Sequence, residues 1–266
     1  MGFIRGVLLV LVTVLLFLSI ICVNLFWTLS LSLDYKNVEK EALAVSKDFL
    51  KEINVTSAVK QAYPLINSYC KNHSEYVFNY QGYTFDIPCD AAVKGEDAVI
   101  EEGVRDLVKN VYYTEYECDF LECASKPQIP LFLISEKAYD FFTGKFYFFL
   151  AALFILLIFV FLFVEKKTNV PILAGSLLII SSLIFIKLDS LFALFSDKII
   201  LSLLKIFFSQ TYFVSLRILI IGIALVLLGI VLKIFKVGFF VSKLISKVNQ
   251  KKIDISKKKS VKKKSK

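Results

Sequence analysis

Long uncharged apolar blocks alternate with polar, periodic segments along this chain, and the blocks are long enough to cross a membrane. A helix rises about 1.5 Å per residue and a bilayer's hydrocarbon core is about 30 Å thick, so about 20 apolar residues are required. The first block is the uncharged stretch Gly6–Leu33, 28 residues long, with Trp27 where an interfacial aromatic belongs. The second runs from Phe146 to Val164 between Lys145 and Glu165, and the third from Val170 to Ile186 before Lys187. Pro171 suits the first turn of that third helix and Asn169 suits its cap. The fourth runs from about Phe213 to Leu232, with Arg217 near enough to one end to snorkel toward headgroups. The predicted organisation is a helix over 7–30, a polar domain over 31–145, spans over 146–164, 170–187 and 213–233, short connections over 165–169 and 188–212, and a tail over 234–266.

Within the polar domain, Tyr35, Val38, Ala42, Val45, Phe49 and Ile53 recur every three or four residues, one face of a helix. A second helix is predicted over Ser57–Tyr69 with a break or kink at Pro64, and a third over Glu96–Tyr113. Glu75–Ile87, rich in Tyr, Phe, Val and Thr around Gln81-Gly82, predicts a hairpin that Pro88 ends. From Ser135 a last helix is expected to run straight into the second span. The fold class is therefore mainly α, four transmembrane helices plus a small α+β extracytoplasmic domain. In the 188–212 connection, Lys198, Ser202, Lys205 and Ser209 form a polar stripe that suits a helix lying in the interface or packed under the domain.

Composition agrees with the blocks: 57% of residues are hydrophobic and mean hydropathy is +0.68, beyond the range of a soluble globular chain. The net charge of +9 conceals a split. The stretch Leu31–Lys145 has 12 Lys/Arg against 19 Asp/Glu, whereas Lys233–Lys266 has 13 Lys against the single acid Asp254. Arg5, the Lys166–Lys167 pair and the tail lie on one side of an even number of spans, and the positive-inside rule makes that side cytoplasmic. The first block is read as a retained anchor, since its apolar part exceeds the 7–15-residue core of a signal peptide and no Ala-x-Ala site follows it.

Four of the five cysteines, Cys70, Cys89, Cys118 and Cys123, fall in the domain expected outside, and Cys22 lies in the first span. Disulfides are expected, with local pairing of Cys70 to Cys89 and Cys118 to Cys123 the simplest of three connectivities. A zinc site drawn from Cys70, His73, Cys118 and Cys123 is the alternative. Both Asn-x-Ser/Thr sequons, at Asn54 and Asn72, lie in the same domain and make these asparagines glycosylation candidates. Asp189 and Arg217 form a candidate ion pair at the outer boundary.

The tail is a lysine-serine sequence expected to be disordered. Lys251, Lys252, Lys257, Lys258, Lys259, Lys262, Lys263 and Lys264 are candidates to contact anionic lipid, with ribosomal or other RNA as the other phosphate partner. No ionisable group lies at mid-depth in a span, which disfavours an ion or proton pathway. Gly175 and Ser182, and likewise Gly222 and Gly229, are seven residues apart, a spacing that lets the third and fourth spans approach closely. No hydrolase, zincin, Walker or dinucleotide motif occurs, and His73 is the one histidine. No cofactor or resident metal is expected, and the reading is a non-enzymatic envelope protein that binds an extracellular partner or serves as an accessory subunit of a membrane complex. Tyr76, Tyr80 and Tyr83 are the aromatic contact candidates if they are not core. A biogenesis factor contacting ribosomes and a membrane enzyme of unfamiliar type are the competing readings.

One span, a large loop and three closely spaced spans is an order that resembles claudin-type proteins in topology. The paired-Cys and Trp-Gly-Leu-Trp pattern of that family is missing, since Trp27 is the sole Trp. Leu33-Asp34-Tyr35-Lys36 through Ala42-Leu43, directly after the first span, is similar to the helical first loop of uncharacterised prokaryotic four-span proteins.

Overall fold

The computed structural model of the chain describes residues 2–52, 55–80, 83–125, 130–188 and 204–235. In chain order its helices are α1 (Gly2–Ser32), α2 (Tyr35–Glu52), α3 (Val55–Tyr69), α4 (Cys89–Lys94), α5 (Glu96–Tyr112), α6 (Phe120–Ser125), α7 (Glu136–Phe163) and α8 (Val170–Ile186). The last is α9 (Leu204–Phe235), which turns at 208–210 before its long straight part. Strands β1 (Glu75–Tyr80) and β2 (Tyr83–Pro88) pair antiparallel between α3 and α4, with Phe78 opposite Phe85 and Tyr80 opposite Tyr83. Short 3-10 turns at Pro130–Ile134 and Lys167–Asn169 precede α7 and α8.

Among the described residues four helices are long and apolar enough to cross a membrane: Phe3–Ser32, Glu136–Phe163, Lys167–Ile186 and Leu204–Phe235. Their outward faces carry Val10, Val14, Phe154, Ile158, Leu183, Ile220 and Leu227, all exposed, a surface that water does not tolerate on this scale and acyl chains do. Inside, α1 packs along the whole of α7 and against α8. At the end remote from the polar domain the packing is wholly apolar: Val12, Leu16 and Ile20 of α1 meet Val160 and Val164 of α7, with Leu173 and Leu177 of α8 alongside.

α8 and α9 run antiparallel at glycine distance. A Cβ added at Gly175 would lie 2.6 Å from the Gly222 carbonyl oxygen, and one at Gly222 would lie 3.2 Å from the Ile179 nitrogen. One at Gly229 would lie 3.1 Å from the Ile172 nitrogen. Gly175, Gly222 and Gly229 thus serve the close approach their spacing suggests, whereas the Ser182 hydroxyl donates to the Ile179 carbonyl of its own helix.

Residues from Leu33 to Ser135 build a head at one end of the bundle. One core of the head is Val59, Ile66, Ile87, Ala92 and Val99, which the hairpin covers with Tyr76, Phe78 and Phe85. Tyr63 donates to the Ala92 carbonyl beneath it at 2.9 Å. Gly95 separates α4 from α5 at φ 119°, a backbone conformation that a side chain disfavours. A second core joins head to bundle: Leu33, Val38, Tyr112, Ile134, Ala138 and Ile206 are all buried together, with Phe207 against them. α7 therefore belongs to both parts. Its first turns pack in the head and are capped by Ser135, whose hydroxyl accepts from the Ala138 nitrogen at 3.3 Å.

The observed helices match the predicted periodicities, with three differences. Of the break or kink expected at Pro64, no break occurs, since α3 runs on through it. Asn169 stands at the α8 cap position, but its side chain makes no capping bond and its Oδ1 is buried without a partner. The two short helices α4 and α6 have no counterpart in the predicted elements, because six residues are too few to display a helical period.

Candidate functional site: a polar interior beneath the head

Along α1, positions four apart form one row: Val12, Leu16, Ile20, Asn24, Thr28 and Ser32, none more than 8% exposed. The row is apolar in the half remote from the head and polar in the half next to it. Each fourth position turns about 40° further round the helix, so the row winds: its lower members meet α7 and α8, and at its upper end the Gln210 nitrogen of α9 donates to the Ser32 hydroxyl at 3.1 Å. The neighbouring face of α1 turns to α7 instead: Ser19 donates to the Phe149 carbonyl, Ser30 bonds Thr143 at 2.7 Å, and Phe26 stacks on Phe149. Asn24 and Thr28 accordingly look toward α8 and α9.

The facing helices present matching groups. Thr211 and Ser215 of α9 and Ser181 of α8 are at most 3% exposed. At 1.5 Å per residue Thr28 is about 6 Å and Asn24 about 12 Å below Ser32. Extending the antiparallel register of Ile172 with Gly229, Gly175 with Val226 and Ile179 with Gly222 places Ser181 level with residue 220, about 15 Å below Gln210. Asn24 and Ser181 therefore lie at similar depths. So do Thr28 and Ser215.

Among these groups hydrogen bonds are missing. Both side-chain atoms of Asn24 and the hydroxyls of Thr28, Ser181, Thr211 and Ser215 are buried without a protein partner among the described residues. Thr13 and Ser182 instead donate to the Leu9 and Ile179 carbonyls of their own helices, while the Ser209 hydroxyl at the α9 turn is also buried without a partner among the described residues. Leu33, which follows Ser32, belongs with Tyr112, Ile134 and Ile206 to the core on the head side of these groups, and Tyr112 donates to the Leu33 carbonyl at 3.0 Å. Burial and the nearby Asp34 push the Tyr112 phenol far above its ordinary value. Burial also raises Tyr35, which meets Tyr112 edge-on at 5.3 Å, and Tyr116.

The sequence-predicted sites distribute as follows. Cys70 pairs with Cys89 and Cys118 with Cys123, at Cα separations of 5.0 and 5.6 Å. Cys22 is free. His73 stacks on Tyr69 at 3.9 Å and is not brought to Cys118 or Cys123 as a ligand set; no group of three or more His, Cys, Asp or Glu among the described residues could hold a metal. Asn72 is exposed in the turn between α3 and β1. Tyr76 is half-buried against the hairpin core. Arg217 is exposed, with its guanidinium 3.9 Å from the Phe213 ring centre. Its suggested partner Asp189, the sequon at Asn54 and every tail lysine lie outside the described residues. So does 189–203, and with it Lys198 and Ser202 of the polar stripe, while Ile206 and Phe207 of the same connection pack under the head.

At the far end, cations meet the α7 C-terminus. Arg5 donates to the Phe163 carbonyl at 2.8 Å and Lys167 to the Phe161 carbonyl, complementing the helix dipole and its open carbonyls. In comparisons with known protein families, curated proteins and solved structures, the chain matches none, so the resemblances in span order rest on that order alone.

Proposed function

We propose that the chain is a four-span membrane protein with both termini in the cytoplasm and an extracytoplasmic head, acting as a non-enzymatic binding or accessory subunit. One observation carries this reading: Leu33, Val38 and Tyr112 of the head share a core with Ala138 of α7 and Ile206 of α9, so the head is a rigid platform and not a tethered module. A platform of that kind presents a surface in a fixed orientation to the membrane. Polarity supports the placement. Acidic residues predominate in the head, while Arg5, Lys166 and Lys167 gather at the opposite end. The lysine-rich tail then faces the anionic inner leaflet, where each lysine near the surface contributes about 1 kcal/mol.

Photo-cross-linking tests the reading. A photoreactive residue is placed in intact cells at Val77, Val93 or Leu121, three exposed apolar positions on the head. A discrete, reproducible cross-linked product at one of them is expected. Absence of any product at all three removes the binding role.

A further inference from the structure

We propose that α1, α8 and α9 enclose a neutral polar site whose ligand is water, lined by Asn24, Thr28, Ser181, Thr211 and Ser215. A hydroxyl in an apolar helix ordinarily bonds a carbonyl three or four residues back, and Thr13 and Ser182 do so. The five lining side chains do not, and an amide and hydroxyls left unpaired in a lipid-surrounded interior cost several kcal/mol together. They can be satisfied only from inside the zone they line.

The chemistry of the ligand follows from the lining. Asn24 offers two donors and a carbonyl oxygen, and each hydroxyl offers one donor and two lone pairs. Such a set suits a molecule that both donates and accepts. None of the five lining groups carries a charge to compensate a bound ion. Every lining residue is at most 3% exposed, with the Leu33–Tyr112–Ile206 core on the head side and Leu16 and Ile20 further along α1, so the site is sealed from bulk solvent. A buried water needs two to four polar partners, and the similar depths of Asn24 with Ser181 and of Thr28 with Ser215 supply them.

The test is nuclear magnetic resonance on the full chain in lipid nanodiscs, with asparagine selectively labelled with nitrogen-15. Magnetisation transfer from water to the Asn24 side-chain amide is expected, the resonance being identified by its loss in Asn24→Leu. A folded protein whose Asn24 amide receives no transfer overturns the proposal. If Asn24→Leu does not fold, Thr28→Val decides by its melting temperature. A hydrated site predicts a fall, because a bridged hydroxyl is lost. A dry site predicts a rise, because an unpaired hydroxyl is removed, and that result overturns the proposal.

Discussion

The Tyr112 hydroxyl donates to the Leu33 carbonyl at 3.0 Å across 79 residues of sequence, tying α5 of the head to the residue that follows α1. Both residues are essentially sealed from solvent, so the bond is made where its loss is felt. Tyr112→Phe leaves the packing intact and strips the Leu33 carbonyl of that donor, a change expected to cost about 1–2 kcal/mol. The measurement is the thermal unfolding of the detergent-solubilised protein. An unchanged melting temperature would show that water replaces the hydroxyl.

The same tyrosine gives a pH signature. Its folded pKa lies above the unfolded value of about 10, with burial the larger cause and Asp34 next. Below that unfolded value both states hold the proton and stability is unaffected. Above it the unfolded chain releases the proton while the folded one retains it, so stability falls as pH rises. Tyr35 and Tyr116 shift the same way through burial. Melting temperature should be flat from pH 7 to about 9.5 and decline beyond, less steeply in Tyr112→Phe.

Gly175 tests the bundle. A methyl there meets the carbonyl of Gly222, a backbone atom that cannot rotate away, so Gly175→Ala must part α8 from α9. A loss of about 1–3 kcal/mol is expected. Gly6→Ala is the control, since nothing lies within 4 Å of its Cβ position. Equal melting temperatures for the two variants would exclude close packing at Gly175.

The disulfides should differ in weight. Cys70–Cys89 closes a separation of 19 residues and Cys118–Cys123 one of 5. In the chain-entropy account those closures contribute about 3 and about 2 kcal/mol. The double serine variant of the first pair should therefore melt lower than that of the second. The opposite order would place the stabilising role in the α6 turn.

The spans and head helices were legible because each rests on a local regularity: hydropathy over 20 residues, or apolar positions three and four apart. The hairpin was legible because Gln81-Gly82 sits between two β-branched and aromatic runs. The polar interior was not. Asn24 and Thr28 are visible in the sequence, but the helices they face depend on contacts distant in the chain, such as the Ser32–Gln210 bond. Ser181, Thr211 and Ser215 carry no signal of their own, since a lone hydroxyl in an apolar helix usually satisfies itself on the backbone. Ser182 does just that, and only the packed structure separates it from its neighbour Ser181.

The account stands most directly on the head being extracytoplasmic and held by two disulfides, with Cys22 the one free thiol. Membranes dissolved in SDS and treated with a maleimide–polyethylene glycol reagent, with and without prior reduction, report this as mass steps. The account predicts one step before reduction and five after it, for the five cysteines of the chain. Five steps without reduction would mean that the head cysteines are thiols, and would contradict both the pairing and the orientation.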